Sequence, residues 1–485
     1  MIINRINEWA KLQPTKPALI YDHTPISYEL FARSIEALRK FFEQQQLPAG
    51  QTAIVLVRNL VSAWVITIAL RGIGLNTISV ESLSRAEKLR LRDVACVVTS
   101  QHEKSLHNFD WAVTSGIKIV LVPEIVPTDY VPSDRQNPDR FGGHILFSSG
   151  TTGTYKKLFL NGSTDEKQNE IHARSYLFDR KTIYNGSNFA LWSAAGLKVP
   201  AAAWHVGGTV ILDQGSAPLS DLFRNRFTCL FLVPSQLGEF VRSLNAPSRV
   251  DQFDLFIGGG FLPWDMANRV LSLLPARLIV RYGVTELAAA PMRSIIRSKE
   301  DLLWFAPETD RAVEIVDENG DLCAIGEEGE LRIQTMDDDC KSYLDDDEAS
   351  AKVFRDGYFY PGDMAIRRSD GRIRVLGRTS DVLNLHGVKI AVAPLEEEVR
   401  RELAVDDVCI FSGLGDDGVE EIVIALQSDR ELTQTQRSAI ARKLPSFQRT
   451  RFAVMKSFPR AESGMRKTQR AALRQLVFAE RNAAD

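Results

Sequence analysis

The sequence carries almost no net charge: 59 Lys and Arg stand against 62 Asp and Glu, leaving −3 at pH 7 over 485 residues. A globally basic nucleic-acid binder needs a clear Lys/Arg excess. A disordered chain needs low hydrophobicity together with high net charge, and 44% hydrophobic residues exclude it. Cysteine is scarce as well. The five (Cys96, Cys229, Cys323, Cys340 and Cys409) are odd in number and form no C-x-x-C pair, which argues against a disulfide framework or a thiolate zinc site and for a reducing compartment. Seven histidines show no H-E-x-x-H and no clustered spacing, so no histidine-held catalytic metal is expected. Long apolar runs are missing too. The opening MIINRINEWAKLQPTKPAL has no apolar signal core. The most membrane-like run, residues 59–70, is bracketed by Arg58 and Arg71, interrupted by Ser62 and Thr67, and short of the ~18 apolar residues of a spanning helix. These absences describe a cytoplasmic protein with no membrane span and no nucleic-acid partner.

What is present reads as an α/β chain. Through the first 280 residues, apolar β-rich runs such as AIVLVRN (53–59), ACVVTS (95–100) and KIVLVPE (118–124) alternate with helical-period segments such as SAWVITIALRG (62–72). That alternation predicts βαβ units and a largely parallel sheet with helices on both faces. From about Arg311 the pattern changes to AVEIVDENGDLC and GELRIQT, expected as antiparallel strands joined at Asn319-Gly320, and DGYFYPGDMAIRRSDGRIRVLGR continues the meander. Beyond Gly377-Arg378 come a charged helix (Leu395 to Leu403), the strands DVCIFSG and EIVIALQ, and a basic helical tail, enough for a small domain with its own core. Charge is segregated locally. Residues 337–348 hold seven acids against Lys341, read as a solvated loop, and residues 437–474 hold eleven Lys/Arg against Glu462 alone. The basic run reads as a solvated face or as a surface for a polyphosphate or an acidic partner.

HILFSSGTTGTYKK (144–157) is the strongest local signal. An apolar strand runs into Ser148, Ser149, Gly150, Thr151, Thr152 and Gly153, followed by Lys156; glycines admit close backbone N–H groups, hydroxyls add donors and the lysine adds a point charge, which suits a phosphate clasp. Tyr155 stands where a Walker loop needs glycine. In FDLFIGGGFLP (253–263) a strand ends in three glycines against which a flat ring or another backbone can lie. LIVRYGVTELAAAP (278–291) offers the stacking face of Tyr282, the hydroxyl of Thr285 and the carboxylate of Glu286, which can hold Mg²⁺ through oxygen. GYFYPGDMAI places Asp363 at a turn, where its carboxylate can accept both hydroxyls of a ribose or serve the turn alone. Gly413, Gly415 and Gly418 match a dinucleotide fingerprint, but Asp416 and Asp417 would repel a pyrophosphate and a strand follows, so a hairpin turn is expected. His144 and His386 lie beside motifs and can contact a ligand.

Taken in order, these segments resemble the adenylate-forming superfamily of acyl- and aryl-CoA synthetases, nonribosomal-peptide adenylation domains and firefly luciferase, over nearly the whole chain. SSGTTGTYKK resembles its phosphate loop, GGGFLP and YGVTE its adenine and Mg²⁺ segments, YFYPGD its ribose aspartate, GRTSDVLNLHG its interdomain hinge, and PRAESGMRKTQR its terminal lysine motif. The resemblance implies a large core over residues 1–376 with a small β-barrel-like part, a hinge at 377–381 and a mobile α+β domain over 382–485. It implies ATP, Mg²⁺ and a carboxylic acid as ligands, and coenzyme A or a phosphopantetheine as acyl acceptor. Gly259, Gly260, Phe261, Arg281, Tyr282, Gly283, Asp363 and Arg378 would join the phosphate loop around the nucleotide, with Thr285, Glu286 and Lys467 in catalysis. Trp192, Leu197, Gly258 and Ala288 would border the acyl pocket, and Gly387 the acceptor tunnel.

The departures from the family pattern matter. Tyr155-Lys156-Lys157 replaces Pro-Lys-Gly, Ser380 replaces the first hinge aspartate, and Pro394 falls where a glutamate is usual. A literal alignment puts Met465 at the terminal lysine, whereas Lys467, Arg470, Leu473 and Arg474 keep the family spacing if Met465-Arg466 is an insertion. The pocket segment NFALWSAAGLKVP lacks the aspartate that holds an amino-acid ammonium, so an uncharged pocket for an aliphatic or aromatic acid is expected. Coenzyme A, an acyl carrier protein's phosphopantetheine and a free amine all remain as acceptors, Gly387 favouring a thiol. The non-enzymatic alternative is an adenylate-binding protein without catalysis.

Overall fold

The computed structural model describes residues 1–123, 140–149, 155–186, 189–212, 226–243, 251–308, 311–378, 382–385, 388–414, 420–442, 449–460 and 468–479. It divides into two units, the first comprising residues 1–148, 155–302 and 335–351, the second residues 149–154, 303–334 and 352–485. The class is α/β with parallel-rich sheets, as the alternating pattern requires.

The first unit holds two sheets. One runs Lys118–Val122, Val94–Ser100, Thr52–Val55, Asn76–Ser79, His144–Ser149, Tyr155–Leu160. Its first four strands pair in parallel, and Asn76–Ser79 meets His144–Ser149 in parallel at Thr77 and His144. Eight strands of the other run Met292–Ile295, Ala276–Tyr282, Phe253–Ile257, Cys229–Leu232, Ile183–Asn185, Thr209–Ile211, Pro17–Tyr21, Thr24–Ser27; the two outer strands are antiparallel and the rest parallel. Helix Leu60–Gly72 is apolar on every side rather than along one stripe, because it is packed on every side, as a helix in a core must be. It starts at Asn59, whose side chain accepts the Ser62 N–H at 2.9 Å. Trp64 from this helix meets Trp204 of helix Ala194–His205 edge-on at 4.8 Å between ring centroids, and Trp204 meets Phe31 of helix Tyr28–Gln44 at 5.1 Å. Three helices are thereby locked through aromatic side chains.

One buried ion pair fixes the entry to the phosphate segment. Arg71 donates to Asp165 at 2.8 Å and to the Gly142 carbonyl at 2.8 Å, and its guanidinium lies 4.4 Å from the Phe141 ring. Asp165 also accepts from the Ile2 N–H and Asn169, so the pair has the extra hydrogen bonds that a buried pair needs. Gly142 is glycine for a steric reason: a Cβ there would stand 1.8 Å from the Leu75 carbonyl oxygen.

In the second unit, Phe354–Arg355, Tyr358–Phe359, Glu328–Gln334, Asp363–Arg367 and Ile373–Arg378 form an antiparallel sheet, with Val313–Val316 paired to Glu328–Gln334. Among the described residues this sheet is open, not a closed barrel. The Asn319-Gly320 turn is present, with Gly320 at φ +86°, but it folds the chain back only as far as a bridge between Val316 and Leu322. The main partner strand begins at Glu328.

The remainder of the unit has Asp407–Leu414 antiparallel to Glu420–Gln427, as a hairpin requires, and Arg449–Met455 parallel to the latter. The turn residues Gly415 and Gly418 lie outside the described residues. Apolar clusters cover both faces of this sheet, one with helix Val392–Leu403, the other with helix Arg470–Ala479. Much of the basic run is spent internally: Arg451 pairs with Glu421, Arg460 with Asp407 and Arg470 with Glu396. No helix among the described residues is long and apolar enough to cross a membrane, and none of the five cysteines is in a disulfide.

Candidate functional site

Two neighbouring parallel strands of the first unit deliver most of the nucleotide-segment residues. Phe253–Ile257 and Ala276–Tyr282 run in register with Ile257 opposite Val280, so Gly258–Phe261 and Gly283–Glu286 leave the sheet side by side at the carboxyl ends of their strands. Crevices beyond the carboxyl ends of parallel strands are where open α/β sheets bind ligands. Gly259 takes φ +79°. Phe261 is 56% exposed, a large apolar face held at this edge. Tyr282 closes the strand, opposite Met292, and Gly283 begins the following turn, while Arg281 points into the interior. It is 5% exposed, donates to the Ser175 hydroxyl and lies 4.0 Å from the Tyr176 ring centroid.

The turn carrying Thr285 and Glu286 is held from two sides. From helix Ala194–His205, Lys198 donates to the Thr285 and Leu287 carbonyls, both at 3.1 Å. Lys198 is 6% exposed. Burial pushes its ammonium below the ordinary lysine value, while Cys340, Asp339 and Glu286 act in the opposite sense. From residues 336–345, the Cys340 N–H donates to the Glu286 carbonyl at 3.0 Å, Asp339 accepts the Ala288 N–H at 2.7 Å, and the Tyr343 hydroxyl donates to the Glu286 carboxylate at 2.7 Å.

Composition predicts a solvated acidic loop for that segment, which holds for Asp337, Asp347 and Glu348 and is corrected for two of its acids. Asp338 and Asp339 are buried; Asp338 pairs with Lys167 at 2.7 Å and Asp345 with Lys157 at 3.1 Å. Asp338, Asp339 and Asp345 each meet a donor brought by the fold, whereas Asp337, Asp347 and Glu348 stay exposed.

In the phosphate segment, Gly150, Thr151, Thr152 and Gly153 lie outside the described residues, as do the side chains of Ser148 and Ser149. Lys156, on strand Tyr155–Leu160, is described: its ammonium stands 3.5 Å from the Tyr343 hydroxyl and 4.8 Å from that ring's centroid. Lys156, Tyr343 and Glu286 therefore form a continuous chain. Asp363 opens strand Asp363–Arg367 of the second unit and is 5% exposed. Lys467, Gly387, His386 and the side chain of Arg378 lie outside the described residues.

Of the acyl-pocket residues, Trp192 packs on the cluster of Ile54, Ile145 and Phe147. Leu197 and Lys198 line a cavity of about 20 Å³ shared with Trp64, His144 and His172, room for a single water rather than an acyl group. Lys198 is a charged residue in the segment expected to be uncharged, though its ammonium is turned to backbone carbonyls. Among the described residues His172 has no hydrogen-bond partner on either ring nitrogen, and burial, then Lys198 and Arg281, hold it well below the ordinary histidine value. His144 is fully buried between the Thr77 hydroxyl at 2.8 Å and the Leu191 carbonyl at 3.2 Å. It is a satisfied interior histidine. Sequence reading missed Lys198 and Tyr343, which carry no motif; a lysine amid Gly-Leu-x-Val-Pro-Ala was the signal available.

A family model described as AMP-binding enzyme matches residues 6–336. The chain belongs to the AMP-binding enzyme family. Among curated relatives, this AMP-binding enzyme is 25% identical over 485 residues to the D-alanine–D-alanyl carrier protein ligase of Listeria monocytogenes, covering 92% of each chain. It is 30% identical over 286 residues to the feruloyl-CoA synthase of Amycolatopsis sp, covering 56% of each, so the match spans little more than half of that relative. Among solved structures, the o-succinylbenzoate coenzyme A synthetase of Bacillus subtilis, in complex with ATP and magnesium ion, superposes at TM-score 0.81 and 19% identity over 97% of this chain and 99% of that one. The adenylate-forming fold is thus established for this AMP-binding enzyme.

Proposed function

We propose that this protein activates a carboxylic acid as its acyl-AMP, releasing pyrophosphate, and then passes the acyl group to the thiol of coenzyme A. The observation that carries the reading is the Lys156–Tyr343–Glu286 chain in a member of the AMP-binding enzyme family: a cation and a carboxylate for a nucleotide and its metal, held together by one side chain. A carboxylate is a poor acylating agent because its oxygen is a poor leaving group. Its attack on the α-phosphorus of ATP forms an O–P bond and breaks the bond to pyrophosphate, and the resulting AMP is a good leaving group for the thiol that follows.

Glu286 is one carboxylate rather than a cage, and no cluster of three or more metal-binding side chains occurs among the described residues. That donor set fits Mg²⁺ arriving with ATP and keeping phosphate and water oxygens as its other ligands. Bound there, Mg²⁺ would offset charge on the transferring phosphoryl group. On this reading Lys156 and the hydroxyls of residues 148–152 hold phosphate oxygens, Thr285 adds a donor, Phe261 and Tyr282 flank the adenine, and Asp363 accepts the ribose hydroxyls. Lys467 approaches the α-phosphate when residues 382–485 turn about the 377–381 hinge, and withdraws for thiol attack.

Two relatives use different acceptors by name, a carrier protein and coenzyme A. Pyrophosphate release over a panel of aliphatic, aromatic and α-amino acids tests the first step: simple acids are expected to turn over and α-amino acids to fail, and the reverse pattern would overturn the substrate class. Mass spectrometry with coenzyme A, a phosphopantetheinyl carrier and amines in turn tests the second, with acyl-CoA the expected product. Its absence beside an acylated carrier or an amide would reassign the acceptor.

A further inference from the structure

Residues 339–345 join the two parts of the site that the sequence treats as separate. At one end Asp339 and Cys340 bond the backbone of Ala288 and Glu286. At the other, the Leu344 N–H donates to the Lys157 carbonyl at 2.8 Å, and Asp345 pairs with the Lys157 ammonium. Tyr343 sits between them, 2% exposed, its own N–H given to Ser350 at 2.8 Å. Its backbone is therefore fixed independently of what its side chain touches. That side chain touches two charges of opposite sign: its hydroxyl donates to one Glu286 oxygen, and its ring and hydroxyl receive the Lys156 ammonium.

We propose that Tyr343 is a positioning residue that sets the Glu286 carboxylate and the Lys156 ammonium together for a nucleoside triphosphate and its divalent cation. The inference rests on the proposed function. Holding one carboxylate oxygen leaves the other to face a metal, and outer partners of this kind fix a ligand's orientation at a cost of about 10- to 100-fold when removed. The ring face steadies the ammonium without neutralising it, since a cation above a π system keeps its charge for a phosphate.

ATP binding measured by calorimetry needs no acid substrate and separates the two halves. In Tyr343→Phe the Mg²⁺ concentration for half-maximal ATP binding is expected to rise about tenfold, with ATP affinity in EDTA unchanged because the ring remains under Lys156. In Tyr343→Leu the metal-free affinity is expected to fall as well, about threefold; if that variant does not fold, Lys156→Met supplies the same arm. In a Glu286→Gln background, Tyr343→Phe is expected to shift nothing further, whereas a purely structural role would cost the same in both. A wild-type Mg²⁺ dependence in Tyr343→Phe, or an equal loss in the Glu286→Gln background, overturns the inference. Wild-type protein that binds Mg·ATP and activates an acid while Tyr343→Phe is unaltered overturns it alone; wild-type protein that binds no ATP overturns the proposed function with it.

Discussion

Lys198 is the residue whose cost most needs explaining. A buried ammonium loses hydration worth several kcal/mol, and no described carboxylate lies within ion-pair distance to offset that loss. Its return is geometric: two carbonyls flanking Glu286 are satisfied by one donor that a helix holds rigidly. Replacing Lys198 by Met keeps the volume but leaves both carbonyls without that donor. The expected cost is about 1–3 kcal/mol, read as a lower urea midpoint; a midpoint equal to wild type would show that the turn holds its shape unaided. Neither Lys198 nor Tyr343 was legible in the sequence, because their partners lie 87 to 89 and 57 residues away. Glu286, Thr285 and Lys156 were legible because each stands in a local pattern whose chemistry can be argued from neighbours alone.

At the scale of elements, the run of acids from 337 to 348 shows how composition misleads. Seven acids against one lysine look like a solvated loop until the fold brings Lys157, Lys167 and the Ala288 N–H to them. Asp339 uses both oxygens, one for Ala288 and one for the Met336 N–H, each at 2.7 Å. Asp339→Asn turns one acceptor into a donor facing an N–H. It is expected to destabilise by about 1–3 kcal/mol, and hydrogen exchange at Leu287 and Ala288 should accelerate more than in the remote strand Thr52–Val55. Uniform exchange would mean that the segment does not hold the turn. Strands and helices of the first 280 residues were readable to within a few positions, since a period near 3.6 or a short β-branched run reports burial directly. The Asn319-Gly320 turn and the antiparallel pairing of Val313–Val316 with Glu328–Gln334 were both readable; what the pattern did not show is the short bridge from Val316 to Leu322 that comes before that strand, because a turn signal fixes where the chain reverses and not how far it then runs.

Across the whole molecule, two interior histidines predict an acid limit. Burial, the larger cause, together with nearby Arg71 moves His144 from the ordinary 6.5 down to about 3, and His172 is likewise well below 6.5. Between those values the unfolded chain binds protons that the folded chain refuses, so stability falls as pH drops below about 6.5. Each histidine contributes up to about 1.4 kcal/mol per pH unit in that window. The urea midpoint is expected to fall between pH 7.5 and 5, and less steeply in His144→Gln; identical slopes would mean that His144 is protonated in the folded state.

By itself the sequence determined the α/β class, the order of the nucleotide segments and the family, because periodicity, glycine-rich turns and charged side chains at fixed offsets act over a few residues. Only the tertiary structure decided which charges meet. The parallel register of Phe253–Ile257 with Ala276–Tyr282 sets two segments side by side, and the return of residues 339–345 to strand Tyr155–Leu160 brings a tyrosine between a lysine and a glutamate. Such contacts depend on how far-separated stretches pack, and hydrophobic burial, which drives that packing, has no direction along the chain.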